Sequence, residues 1–367
     1  MKFICSRDRL TEAISIVQKA VSTRSTLSIL DGILIDVTDK GVQLTGYDLE
    51  TGIEAQLDAD ALESGSVVIN SKLFGEIVRK LPEEEVIIET DERLLISIIS
   101  GSSVFSIKGL SAEGYPKIPE VKDAEKIIIM QGILKDMIRQ TIFAVSTDES
   151  RPTLNGCLFS CDGTNVEMVA IDGFRLALRK QQMGMDLPIM KFIVPGKALH
   201  EVGRILGGKD TELIVYSSVN HILFDTGKVR IVSRLIQGEY MNYKSILPKT
   251  GETNMTVSPG AMLSAIERAS LIILSEDRRC PVQLSMPNDE TLVISASTEL
   301  GTLREEVPVR ISGELIDIDF NPRYFIDALR VIDDGDISVQ FNGSNGPCIM
   351  KPLEEEDFAY LVLPLRR

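Results

Sequence analysis

Lys72, Glu76 and Arg79 stand at i, i+4 and i+7 in INSKLFGEIVRKL, residues 69–81. The same basic, acidic, basic order returns as Lys197, Glu201 and Arg204 in VPGKALHEVGRIL, and as Arg323, Asp327 and Arg330 in FNPRYFIDALRVI. The intervals are 125 and 126 residues, and the three stretches align without a gap. Residues seven apart lie two turns apart on one helical face. For a single copy, an exposed ion-pair ladder that solvates its helix is a sufficient reading. Three copies at one interval imply an internal repeat.

Side chains suited to bond-making chemistry are scarce in such groupings. The Gly-Lys pairs are followed by Ala198, Asp210 and Val229, so no phosphate-binding Gly-x-x-x-x-Gly-Lys-Ser/Thr loop is present. There is no Gly-x-Ser-x-Gly elbow. His200 and His221 are the only histidines and lack metal-ligand spacing. Cys157 and Cys161 lie in NGCLFSCDG, which alternates as a strand does, so they read as sheet thiols rather than half a metal site. The acidic runs at Glu83–Glu85 and Glu354–Asp357 read as solvated loops. The chain is expected to be non-catalytic and to need neither cofactor nor metal.

The repeated cations require helices. Six are predicted, at 7–20, 71–81, 131–142, 196–206, 259–270 and 322–331, from apolar residues at helical spacing. Alternating stretches between them, such as ILIDVTDKGVQLTGYD and CLFSCDGTNVEMVAID, read as antiparallel strands. Asp39-Lys40-Gly41, Asp162-Gly163 and Pro287-Asn288 are predicted hairpin turns. Each unit thus holds two copies of a smaller plan, a helix followed by strands. Proline and glycine in GYPKIP (114–119) and LPKT (247–250) mark linkers. The expected domains are 1–122, 123–250 and 251–367, an α+β chain of three repeats.

Length agrees, since 367 residues suffice for two or three domains. Five cysteines without framework spacing suit reduced thiols, and no stretch resembles a signal peptide or membrane span. A soluble, cytoplasmic chain without membrane contact is expected.

Net charge is −15, which at first argues against a nucleic-acid partner. Its distribution argues the other way. The six predicted helices hold 13 Lys and Arg against 7 Asp and Glu, leaving 26 basic and 47 acidic residues elsewhere. Basic helices on acidic sheets suggest a curved array, and head-to-tail pairing of two chains would close its open edges into a ring. Twelve helices at about 9 Å spacing leave a bore of about 24 Å, wide enough for a duplex, whereas six leave almost none.

MKFICSRDRL, STRSTLSILDGILIDV, RPTLNGCLF, VAIDGFRLAL, NPRYFIDAL and YLVLPLRR run colinearly from Met1 to the C-terminus. Together they resemble the bacterial DNA polymerase III beta subunit, the replicative sliding clamp. The resemblance implies three clamp-like domains per chain, each with two helices packed on antiparallel sheets, forming half of a six-domain ring. It implies a homodimer around double-stranded DNA, held without sequence preference. Its partners would be the DNA polymerase III alpha subunit, the clamp loader and other clamp-motif replication and repair proteins.

Site residues follow from the same resemblance, residue by residue. Arg24, Lys72, Arg151, Lys197 and Arg323 are the candidates for duplex contact. Leu154, Gly173, Phe174, Arg175, Leu176, Ile246, Leu363, Pro364 and Leu365 would form a cleft for partner peptides, and Phe105, Ile273 and Leu274 a dimer seam. Departures from the family pattern are Phe174 where histidine is common, Met241 and Ser245 where proline and arginine are common, and Gly196, Pro152 and Thr153 in basic or aromatic positions. Phe174, Met241 and Ser245 imply a shifted partner preference.

Overall fold

The computed structural model describes every residue except 22–26, 123, 209, 249–250, 274–280, 334, 354–356 and 366–367. Six α-helices occur among the described residues: α1 (Arg7–Val17), α2 (Ser71–Val78), α3 (Gln131–Arg139), α4 (Gly196–Ile205), α5 (Pro259–Ser270) and α6 (Pro322–Leu329). The predicted helices are all present; α5 has the expected bounds and the other five end one to three residues earlier. Their starts follow from capping chemistry. The Asn70 side chain accepts from the Leu73 amide at 3.0 Å, and Asn321, matching it in the third repeat, accepts from the Arg323 amide at 3.0 Å ahead of Pro322. The second repeat has Pro195-Gly196 there instead.

The aligned helices bury the same columns. Phe74, Leu199 and Phe325 are fully buried, as are Val202 and Ala328, with Ile77 at their place in the first repeat nearly so. Each first helix does likewise with Leu10, Leu134 and Met262. Burying one stripe on a sheet leaves the charged stripe outward, which is why the basic positions recur on the exposed side.

All described strand pairs are antiparallel, so the α+β expectation holds. Two compact units contain them, and neither unit coincides with a repeat. The first comprises Met1–Gly132 and Glu201–Leu235. It holds a five-stranded sheet in the order Ala59–Glu63, Lys2–Ser6, Glu85–Thr90, Leu95–Ser100, Ser103–Lys108. It also holds an eight-stranded sheet in which Val229–Arg234 of the second repeat pairs with Thr51–Leu57 of the first, Ile231 opposite Ile53.

The second unit comprises Ile133–His200 and Ile236–Arg367. In its nine-stranded sheet Phe358–Val362 of the third repeat pairs with Arg175–Gln182 of the second, Tyr360 opposite Ala177. A four-stranded sheet runs Gly301–Pro308, Thr291–Thr298, Val282–Asn288, Asp317–Phe320. Each repeat therefore splits its two halves between sheets; successive repeats share the eight- and nine-stranded sheets, while the five- and four-stranded sheets belong to the first and third repeats alone.

Two local readings need correction. The turn expected at Pro287-Asn288 falls two residues later, at Asp289-Glu290, after a register irregularity between Ser285 and Asn288 that takes up an extra residue before the chain reverses. The stretch GYPKIP is more than a spacer. Tyr115 is buried with Leu30, Tyr47 and Val68, and its hydroxyl donates to the Thr45 carbonyl at 3.3 Å. Ile118 lies over Gly52, where an added Cβ would sit 2.5 Å from its Cδ1. Tyr240 repeats the device, donating to the Val169 carbonyl at 3.1 Å.

Candidate functional site

Lys72, Lys197 and Arg323 are exposed in the first turns of α2, α4 and α6. In the ion-pair ladder, Arg204 reaches Glu201 at 3.7 Å and Arg323 reaches Asp327 at 3.9 Å. Arg330 pairs instead with Glu267 at 2.7 Å. Exposed pairs of this kind contribute about 0–1 kcal/mol. They leave long cationic stems able to exchange one anionic neighbour for another. Arg151 is also exposed, and its Nη1 lies 3.3 Å from where a Cβ on Gly173 would stand. Arg24 lies outside the described residues.

A second site is built within the second unit around the segment Asp172–Leu176. Gly173 has φ +95°, which favours glycine, and Asp172 Oδ1 accepts the amides of Phe174 at 2.9 Å and Arg175 at 3.0 Å. That turn projects Phe174, 59% exposed, onto the face of Tyr324, with ring centroids 6.3 Å apart. Arg175 reaches the same ring and is anchored on three sides. Its Nε donates to Asp172 at 2.9 Å, its Nη1 to Asp327 at 2.6 Å and its Nη2 to the Phe143 carbonyl at 2.6 Å. The guanidinium also covers the Tyr324 ring at 4.7 Å.

The floor beneath is apolar. Leu154 and Leu176 are buried in one cluster with Leu158, Ile349, Leu361, Tyr240 and Tyr243. The chain end closes one side. Arg175 stands opposite Val362 in the strand ladder, the Leu363 amide donates to the Phe174 carbonyl at 2.8 Å, and the Leu365 amide donates to the Asp319 carbonyl at 2.8 Å. Around the floor, Leu363 (39%), Ile246 (40%) and Met241 (44%) keep apolar surface in solvent, while Pro364 and Leu365 are half-buried. Pairing thus brings Leu154, Gly173–Leu176 and Leu363–Leu365 together, and Ile246 follows shortly after the buried Tyr243. An apolar floor rimmed by carbonyls, an aromatic face and one well-anchored guanidinium suits short peptides with hydrophobic anchors.

Sequence reasoning missed Phe143, Tyr240, Tyr243, Tyr324, Asp172 and Asp327 as parts of this site. Asp172 carried a legible signal, since Asp-Gly-Phe-Arg is an Asx-turn sequence. The tyrosines carried none, because they join the site through distant pairing. The Tyr243 hydroxyl donates to Glu167 at 2.7 Å, and burial raises its pKa well above the usual phenol value.

At the open edge Ser103–Lys108 of the five-stranded sheet, Val104 is 65% and Phe105 38% exposed. Ile273 is half-buried after α5, and Leu274 lies outside the described residues. Cys157 and Cys161 are buried strand thiols whose pKa burial pushes up to about 12, the behaviour of inert core groups. Among the described residues no helix is long and apolar enough to cross a membrane.

Models of the DNA polymerase III beta subunit match the chain three times: the N-terminal domain over residues 1–119, the central domain over 128–242 and the C-terminal domain over 244–366. The beta sliding clamp of Bacillus subtilis (strain 168) is 36% identical over 379 residues, covering all of both chains. Among solved structures, a DNA polymerase sliding clamp from Bacillus subtilis matches with a TM-score of 0.94 at 36% identity, over 100% of this chain and 99% of that one. A putative DNA polymerase III beta subunit from Eubacterium rectale matches with a TM-score of 0.95 at 36% identity, over the whole of both chains.

Proposed function

The chain belongs to the DNA polymerase III beta subunit family and is a DNA sliding clamp, a processivity factor rather than an enzyme; from this we propose that it works as a head-to-tail homodimer closed around duplex DNA. We assign its domains to 1–122, 123–250 and 251–367 and its place of action to the cytoplasm.

One observation carries the ring. Two seams inside the chain are made by the same strands of successive repeats, Val229–Arg234 on Thr51–Leu57 and Phe358–Val362 on Arg175–Gln182. The corresponding strands left without such a partner are Ser103–Lys108 and Gly301–Pro308, each at the edge of its sheet. A second copy supplies the missing pairing.

The register follows from the repeat. Phe105 faces Ile98 in its hairpin as Ile231 faces Phe224, and Leu303 faces Ala296 as Ile53 faces Gly46. Because Ile231 stands opposite Ile53, Phe105 is assigned opposite Leu303 of the second copy, and Val104 opposite its Arg304. That register keeps the inward faces of both strands together, which a one-residue slip would not. Ile273 and Leu274 are assigned to the same seam.

Sliding requires contacts that read no bases. Arg24, Lys72, Arg151, Lys197 and Arg323 are assigned to phosphates, where flexible cationic stems exchange partners at little cost. The cleft of Leu154, Gly173–Leu176, Ile246 and Leu363–Leu365 is assigned to peptide motifs of the DNA polymerase III alpha subunit, the clamp loader and other replication and repair proteins. Phe174, Met241 and Ser245 tune which motifs bind.

Retention on nicked circular plasmid tests the reading. Protein loaded by a cognate clamp loader with ATP is expected to stay on the circle and to leave once it is linearised. Equal retention on both forms would mean ordinary surface binding. Failure to load with a demonstrably active loader would favour a scaffold that binds proteins only.

A further inference from the structure

In the first and third repeats, the opening strand carries a short extended segment on its outer edge. Lys2–Ser6 pairs with Ala59–Glu63, placing Phe3 opposite Ala61 and Ile4 opposite Asp60. Thr253–Val257 pairs with Arg310–Gly313, placing Met255 opposite Ile311 and Thr256 opposite Arg310. The opening strand of the second repeat, Glu125–Met130, ends its eight-stranded sheet and pairs only with Glu212–Ser217 among the described strands. The segment that matches in sequence, Met183–Leu187, is engaged elsewhere. The Met183 amide donates to Thr164 at 3.0 Å, the Leu187 amide donates to Gly163 at 2.8 Å, and Gly184 adopts φ +64°.

The groups left at that edge can be named. The Gln131 amide donates to the Thr211 carbonyl at 2.8 Å, continuing the Glu125–Met130 ladder by one step. In an antiparallel pair, hydrogen bonds alternate along the strand. Ile127 and Ile129 therefore turn their amides toward Glu212–Ser217, and Lys126, Ile128 and Met130 turn theirs to the open edge. The Ile127 and Ile129 side chains are buried, while Ile128 is 37% and Met130 39% exposed. Exposed edges are commonly guarded by charge or proline. Here the only charges are Glu125 and Lys126 at one end.

We propose that the edge Glu125–Met130 is a docking site for an extended segment of a partner polypeptide, added as an antiparallel strand. The two covered copies specify its chemistry. Residues opposite Ile127 and Ile129 correspond to Ala61 and Ala59 in the first repeat, and Ile311 takes the former place in the third. The partner segment therefore carries small or branched apolar residues at alternate positions facing inward. The residue between them corresponds to Asp60 or Arg310, faces outward and tolerates variety. Main-chain bonds supply the affinity and the alternate side chains the selectivity. This site is distinct from the cleft around Phe174 and does not depend on ring closure.

The test is hydrogen exchange on the full chain with and without a synthetic heptapeptide, Val-Arg-Ile-Ser-Gly-Glu-Leu, copied from residues 309–315. Exchange at Lys126, Ile128 and Met130 is expected to slow by about tenfold or more at saturation, with Ile127 and Ile129 unchanged. Ile128→Pro removes an edge donor without touching the existing ladder and is expected to abolish the effect. If that variant does not fold, the same peptide N-methylated at alternate residues replaces it and is expected to give no protection. No change at the three amides with saturating peptide overturns the proposal. So does slow exchange there in the free protein; if it appears only at high protein concentration, a second copy takes the edge instead.

Discussion

Arg175 and Asp327 lie 152 residues apart in sequence, yet the guanidinium Nη1 donates to the carboxylate at 2.6 Å. Arg175 is assigned to the proposed peptide cleft, and Asp327 is the middle acid of the third basic, acidic, basic helix. The acid that the helical spacing alone gives to Arg323 is thus held much closer by a residue from another repeat.

Breaking this pair should be costly, because both groups are largely buried, at 10% and 23% side-chain exposure. Asp327→Asn is expected to destabilise the protein by about 3 kcal/mol. It should also weaken binding of a clamp-motif peptide to the cleft, since Arg175 anchors the Phe174 turn. Urea midpoints and fluorescence anisotropy with a labelled peptide measure the two effects. Arg323→Ala, which removes only the distant exposed partner, should leave both unchanged.

DNA binding through phosphates predicts a particular salt response. Lys72→Ala, Lys197→Ala and Arg323→Ala are each expected to lower the slope of log affinity against log salt by about 0.9 for every phosphate no longer neutralised. The weakening should be the same for duplexes of different sequence. A change that depended on sequence would mean base readout instead.

The assigned seam predicts a covalent link. Val104→Cys combined with Arg304→Cys in one chain is expected to give intermolecular disulfides under mild oxidation, because directly opposed residues have Cα atoms about 4.5–5.5 Å apart. Val104→Cys with Leu303→Cys should not, since those side chains fall on opposite faces. Non-reducing gels distinguish the two.

Acid sensitivity has a local source at Asp162. Amides of Asn165 and Thr164 donate to its carboxylate at 2.8 and 3.1 Å, and these bonds lower its pKa to about 2. A folded-state pKa below the unfolded value adds stability above about pH 4, and that stability is lost as pH falls toward 2. Asp162→Asn keeps the turn but cannot titrate. Its denaturation midpoint is expected to fall less than the parent's between pH 5 and pH 2, as followed by circular dichroism.

Helix positions were readable because capping residues and apolar spacing are local. Asn70 and Asn321 announce α2 and α6, and the buried columns at Phe74, Leu199 and Phe325 follow from spacing alone. The turn after Ser285 was misplaced because a bulge changes the count without changing the alternation. Tyr115 was hidden in an apparent linker and Tyr240 in the unassigned stretch before the next one, since nothing near them in sequence shows that Thr45 and Val169 offer carbonyls.

The sequence alone determined the three repeats, the helix faces and the segregation of cations onto helices, because these depend on periodicities of a few residues. Tertiary structure alone decided which sheets the repeats share, which acid Arg175 engages, and which strand edges stay open. Those outcomes depend on pairings between segments more than 100 residues apart, such as Arg175 with Val362 and Ile231 with Ile53. Local propensity does not rank such pairings; burial and register across the assembled sheets do.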